Sequence, residues 1–130
     1  MKIDKLLQIM EKLRDPQNGC PWDKKQTLET IIPHSIEEVY EVAEAIYNKD
    51  YKNLREELGD LLFQVIYLSQ IAKEKNQFDF NDVVNSITIK MIARHPHVFK
   101  RKKFNNSKDF DEWWEKSKNK KDIGLLKNIP

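Results

Sequence analysis

Apolar residues recur along most of this chain at intervals of three and four. Set beside only three glycines and short β-branched runs, that spacing restricts the chain to helices packed on one another. The segment Lys2 to Arg14 shows it first: Ile3, Leu6, Leu7, Ile9, Met10 and Leu13 repeat before Asp15-Pro16 and the turn-like Asn18-Gly19 end the run. Residues 15–33 hold three prolines and a glycine, and predict an irregular loop with room for a short helix at Gln26 to Ile31. Ser35, with Glu38 three positions on, has capping-box spacing, so a second long helix is expected from there to Lys49. Asn53 is the expected cap of a third, running from Leu54 to about Asn76. Asn81 or Asp79 caps a fourth through Val83, Val84, Ile87, Ile89, Met91 and Ile92, stopped near His95 by Pro96. A short charged fifth helix spans Asp109 to Asn119, and Ile123 to Pro130 read as an extended tail. The expected fold is all-α: a helical bundle of four to five helices, with the second, third and fourth supplying most of the core.

Bulk properties narrow the function. A chain of 130 residues suits a single domain, here residues 1–130. Its 23 basic and 21 acidic residues leave a net charge of only +2, too little for bulk attraction to nucleic acid or an anionic membrane. The charge is unevenly spread, with basic runs at 100–103 and 116–121 and clustered carboxylates between residues 37 and 60. Cys20 stands alone, so no intrachain disulfide forms and a reducing compartment is implied. No stretch has the apolar length of a signal peptide or a membrane span, which makes the cytoplasm the expected location.

The chemistry lies in the carboxylates. Glu37-Glu38-x-x-Glu41 on the second predicted helix is followed, after a short connection, by Glu57-x-x-Asp60 on the third. At roughly 100° per residue, Glu38 and Glu41 lie about 60° apart, as do Glu57 and Asp60, so each helix offers a converging pair. Leu54, Leu61, Val65, Leu68 and Ile71 occupy the arc around Glu57 and Asp60, and Val42 and Ala45 flank Glu38, so these acids border the apolar stripes rather than oppose them. An antiparallel hairpin, favoured by the short connection, would face the four acids across one groove. Four neighbouring carboxylates repel, and a divalent cation neutralises them. Oxygen-only ligands favour magnesium or manganese over zinc, and no EF-hand loop is present to suggest calcium. The structural alternative is a solvated acidic helix face.

These residues resemble the MazG-like nucleoside triphosphate pyrophosphohydrolases, within the all-α superfamily that also includes dimeric dUTPases and phosphoribosyl-ATP pyrophosphohydrolases. The superfamily motif is Glu-Glu-x-x-Glu followed by Glu-x-x-Asp. Leu13-Arg14-Asp15-Pro16, Gly19-Cys20-Pro21-Trp22-Asp23, Glu56-Glu57-Leu58-Gly59-Asp60-Leu61-Leu62 and Arg94-His95-Pro96-His97-Val98-Phe99 extend the likeness over roughly residues 3 to 120. The resemblance implies a bundle that dimerises, as a homodimer or dimer of dimers, with magnesium held by Glu38, Glu41, Glu57 and Asp60 and manganese able to substitute. It implies phosphate contacts from Lys90 and Arg94, and nucleotide contacts from Trp114 and Lys118. The reaction implied is hydrolysis of a nucleoside triphosphate to monophosphate and pyrophosphate, in nucleotide-pool housekeeping. Glu37 is the first choice for the carboxylate that takes the water's proton. Familiar members carry a tandem pair of such domains, and in longer relatives a segment like Gly124 to Pro130 leads into further chain, which leaves open whether this chain is a truncated form.

Other residues are read more plainly. Glu44 and Glu56 are solvent acids, and Trp22 packs under its loop in preference to stacking on a base. One of Trp113 and Trp114 fills a core while the other faces a ligand. His95 and His97 form a structural turn, His34 enters a helix or touches substrate, and Cys20 carries no chemistry. The competing functions are a non-catalytic nucleotide-binding regulatory module and an RNA-binding protein that uses the basic C-terminal stretches, the latter without aromatic-basic motifs to support it.

Overall fold

The computed structural model of the chain describes residues 2–99, 103 and 105–119, with side chains as far as residue 116. Every regular element among them is helical: α1 (Lys2–Leu13), α2 (Pro21–Lys24), α3 (Leu28–Tyr47), α4 (Tyr51–Glu74), α5 (Phe80–Arg94), α6 (Pro96–Phe99) and α7 (Ser107–Asn119). Five of these answer to the predicted helices. The one-turn α2 and α6 were not expected, and each begins on a proline, whose fixed φ and missing N–H suit the first helical position. None of the described helices is long and apolar enough to cross a membrane. The tail expected over Ile123 to Pro130 lies outside the described residues. The chain divides into two compact units, residues 1–80 and 81–130.

In the first unit, α3 starts well before the predicted Ser35. Thr27 is its cap: the Thr27 Oγ1 accepts from the Thr30 amide at 3.2 Å, and the Thr30 Oγ1 accepts from the Thr27 amide at 2.8 Å. This reciprocal pair satisfies two amide donors that a helix start leaves open, so the helix runs through Pro33 in spite of it. Proline there removes the bond that would reach back to the Glu29 carbonyl, in a stretch exposed to water. Ser35, relieved of capping, donates its hydroxyl to the Gln64 side chain on α4 at 3.0 Å. The α4 cap also moves, from the expected Asn53 to Asp50, whose carboxylate accepts from the Asn53 amide at 3.1 Å. The short link between Tyr47 and Tyr51 and the Ser35–Gln64 bond make α3 and α4 an antiparallel hairpin.

The core of this unit is Met10, Ile31, Ile66, Tyr67 and Ile71, with Ile3, Leu6, Leu7, Leu28, Phe63, Leu68 and Phe80 packed against it. Helix α1 therefore contributes more than its predicted share, laid along the far end of the hairpin. Each of these buried apolar side chains contributes roughly 1.5–3 kcal/mol. Val65, placed in the apolar arc by sequence, is instead exposed.

After α1 the chain folds back on itself. The Gly19 amide donates to the Asp15 carbonyl and the Cys20 amide to the Leu13 carbonyl, both at 2.9 Å. A Cβ on Gly19 would stand 2.5 Å from the Asp15 carbonyl oxygen and 2.8 Å from its nitrogen, besides striking the Leu13 carbonyl, so only glycine fits.

In the second unit, α5 ends at Arg94 ahead of Pro96, as predicted. His95 Nδ1 donates to the Met91 carbonyl at 2.7 Å, and its ring lies 5.7 Å from Phe110 and 5.2 Å from Trp114. His97 meets Phe110 edge-on at 4.7 Å. These contacts give the His95-Pro96-His97 segment a structural role, with Asn106 capping α7 through the Asp109 amide at 2.9 Å.

Candidate metal centre

The hairpin brings the acids of its two arms together. Glu38 and Glu41 extend from α3 and Glu57 from α4, and one carboxylate oxygen from each lies within 4.8 Å of the others. All three side chains are half-buried. Glu38 Oε2 and Glu57 Oε2 are shut off from solvent with no hydrogen-bond partner among the described residues. Buried carboxylate oxygens left so are costly unless a positive group takes them up.

The electrostatics record the crowding. Loss of solvent pushes the Glu38 carboxyl above its ordinary range, and the charges of Glu41 and Asp60 push it further. Glu41 is raised to about 7, chiefly because it shares a hydrogen bond with Glu57, then through the Glu57 charge, burial, Glu37 and Asp60. Glu37 and Asp60 are exposed. Asp60 stands outside the group of three oxygens, but near enough for its charge to be felt by both α3 acids. The five acids singled out by spacing thus share one electrostatic neighbourhood, with three at its centre. Glu44 and Glu56 are exposed, as expected of solvent acids. Three converging carboxylates, two of which also carry a buried oxygen unpartnered among the described residues, suit a divalent cation.

In the second unit, Lys90 and Arg94 sit one turn apart on α5, Lys90 half-buried and Arg94 buried at 8% exposure. The Arg94 guanidinium lies over the Trp114 ring at 5.2 Å, so these two predicted nucleotide contacts are neighbours. Trp113 packs beside Phe110 at 6.3 Å. The Lys118 side chain lies outside the described residues.

Sequence reasoning assigned no role to a polar clamp in the first unit. Arg14 donates through Nε to Glu74 at 3.0 Å and through one terminal nitrogen to the same carboxylate at 2.5 Å; the other donates to the carbonyls of Asp23 at 2.7 Å and Gln26 at 2.9 Å. Its guanidinium also faces the Tyr67 ring at 5.9 Å. The Tyr67 hydroxyl donates to the Asp23 carboxylate at 2.8 Å. Burial and the Asp23 charge hold Tyr67 well above the usual phenol range, and the Arg14 hydrogen bond lowers Glu74. The only signal was in the motifs Leu13-Arg14-Asp15-Pro16 and Cys20-Pro21-Trp22-Asp23, whose separation hid that they meet. Trp22, read as packed, is 50% exposed and touches His34 and Tyr67 edge-on at 5.5 and 6.4 Å.

A helical hairpin with Glu37-Glu38-x-x-Glu41 on one arm and Glu57-x-x-Asp60 on the other defines an all-α, acid-centred domain of the nucleotide pyrophosphohydrolase class. Comparison of sequences is specific: residues 26–99 match the MazG nucleotide pyrophosphohydrolase domain, and the chain belongs to that family. It is 53% identical over 117 residues to the nucleoside triphosphate pyrophosphohydrolase of Escherichia coli K12, covering 90% of this chain and 44% of that protein. It is 50% identical over 97 residues to the nucleoside triphosphate pyrophosphohydrolase/pyrophosphatase MazG of Thermotoga maritima, covering 75% of this chain and 38% of the relative. The chain thus spans less than half the length of these curated relatives. Among solved structures, a mazG-related protein from Thermotoga maritima superposes with a TM-score of 0.71 at 30% identity, over 89% of this chain and 98% of that one.

Proposed function

We propose that this chain hydrolyses nucleoside triphosphates to the monophosphate and pyrophosphate with magnesium, manganese being able to substitute. The observation that carries the reading is the meeting of Glu38, Glu41 and Glu57, with two buried oxygens that find no partner among the described residues, in a chain of the MazG domain family. The names of the Escherichia coli and Thermotoga maritima relatives support the reaction.

Glu38, Glu41 and Glu57 hold the cation, with Asp60 as a fourth ligand. When bound, it supplies Lewis-acid charge and a template for the triphosphate. Glu37, exposed beside the three, accepts the proton of the water that attacks the α-phosphorus as pyrophosphate leaves. Lys90 and Arg94, one turn apart, offset charge on the phosphate oxygens, and Trp114 and Lys118 contact the nucleotide. The protein works as a homodimer or a pair of dimers in the cytoplasm, where it removes unwanted nucleotides from the pool. Exposed Ile36, Val39 and Tyr40 on α3 and Leu58 and Leu62 on α4 support association through the hairpin.

The test is incubation of the full chain with a panel of ribo- and deoxynucleoside triphosphates and magnesium, with pyrophosphate and monophosphate measured. Both products should form in equal amounts and fall at least a hundredfold in Glu41→Gln. Pyrophosphate no higher than in that variant would sink the enzymatic reading.

A further inference from the structure

The acid-bearing face of α3 does not stop at Glu38. His34 lies one turn before it, about 6 Å along the helix, on the face that continues through Glu38 to Glu41. Against His34 stands Trp22, edge to face at 5.5 Å, half its surface open to solvent. An indole left this open is unusual in a segment otherwise so firmly tied. The Asp23 carbonyl accepts from both Arg14 at 2.7 Å and the Tyr67 hydroxyl at 3.1 Å. Gln26 donates its amide to the Trp22 carbonyl at 3.0 Å, and its side-chain oxygen accepts from the Thr30 hydroxyl at 2.7 Å. The turn that carries Trp22 is therefore pinned on three sides: to the residue after α1 through Arg14, to α4 through Tyr67, and to the cap of α3 through Gln26 and Thr30. Tyr67 is 2% exposed, and the Arg14 side chain 8%. So much buried polar bonding is more than a surface loop needs to stay folded, and its product is an indole held against His34, one turn from Glu38.

We propose that Trp22 and His34 form an aromatic rim that contacts the nucleoside part of the substrate, and that Arg14 and Tyr67 are positioning residues that hold this rim in place. The inference rests on the nucleotide reading of the acid cluster and deepens it. A phosphate chain held at Glu38, Glu41 and Glu57 that runs toward the N-terminal end of α3 brings its nucleoside to His34 and to the half-exposed indole against it. Stacking of this kind is tolerant of base identity, since every base offers a π-face. Arg14 suits the positioning role because its planar fork reaches Glu74 and two carbonyls at once, which the point charge of lysine does not.

The experiment compares two ligands on the full chain with magnesium, a non-hydrolysable nucleoside triphosphate analogue and inorganic tripolyphosphate, which has no base. Affinities are measured by calorimetry for wild type, Trp22→Ala, Trp22→Phe, Tyr67→Phe and Arg14→Lys, with folding checked by circular dichroism. Trp22→Ala should weaken the nucleotide by about tenfold or more and leave tripolyphosphate within about twofold; Trp22→Phe should restore most of the loss. Tyr67→Phe and Arg14→Lys should weaken the nucleotide selectively, by less than Trp22→Ala. A merely structural clamp would weaken both ligands alike, and that result overturns the proposal. So does unchanged nucleotide affinity in Trp22→Ala, or a wild type that binds nucleotide no better than tripolyphosphate. A wild type that binds nucleotide through Trp22 without turnover would refute only the enzymatic reading.

Discussion

A divalent cation entering the acid cluster should expel protons, and the number expelled follows from the geometry of Glu41 and Glu57. In the metal-free protein Glu41 protonates at about 7, because it shares a hydrogen bond with Glu57 and feels that group's charge. As a metal ligand it must be ionised. Binding should therefore release about half a proton per cation at pH 7, about nine-tenths at pH 6 and about one-tenth at pH 8. Calorimetric titration with magnesium or manganese, repeated in buffers of different ionisation enthalpy, counts the protons directly. The same shift sets the sign of the pH dependence of folding. Between the unfolded value of 4.5 and about 7 the folded protein holds more protons than the unfolded chain, so the metal-free fold loses stability as pH climbs through that window. Glu57→Gln removes the largest cause: its metal-free Tm at pH 8 should rise above wild type, while the gain conferred by magnesium disappears. Proton release that does not change between pH 6 and 8, or a Glu57→Gln variant less stable than wild type without metal, would refute the placement of these acids.

Other outcomes follow from the surrounding structure. Gly19→Ala should cost about 1–3 kcal/mol, because the new carbon meets backbone atoms that cannot yield, and denaturant unfolding should show a lower midpoint with an unchanged slope. Ile66→Ala, at a site 1% exposed, should cost about 2–5 kcal/mol in the same assay. Glu74→Gln should cost about 0.5–1 kcal/mol at pH 7, discounted because that carboxylate is 37% exposed. Arg14 holds Glu74 below its unfolded value of 4.5, so the contribution is complete above that pH and fades as pH falls through the folded value; the gap between wild type and variant should close in acid.

The helices were legible because their apolar period is strong, and so was the end of α5 before Pro96, but the starts of α3 and α4 were not. Ser35 and Glu38 have the spacing of a capping box, yet Thr27 and Thr30 form the real one, and Ser35 spends its hydroxyl on Gln64 across the hairpin. Only a tertiary partner decides between them. Asn53 was the expected cap of α4, whereas Asp50, three residues earlier, takes that role. The centre of the acid cluster was legible because spacing within a helix is local and the link between Tyr47 and Tyr51 is short. The Arg14–Asp23–Tyr67–Glu74 clamp was not, since its members come from the turn after α1, from α2 and from α4, and no periodicity relates them. Trp22 was read as packed because large aromatics are usually buried, while the structure leaves half of it open.

The early start of α3 has an electrostatic consequence for the acids it carries. A helix beginning at Ser35 would have put Glu37 and Glu38 in its first turn, where the partial positive charge of the N-terminal macrodipole stabilises carboxylates. Beginning at Leu28, it sets Glu37 roughly two and a half turns inside, and Glu41 further still, beyond the reach of that field. The backbone thus lends these carboxylates no compensating charge of its own. Whatever neutralises Glu38 and Glu41 must arrive from outside α3.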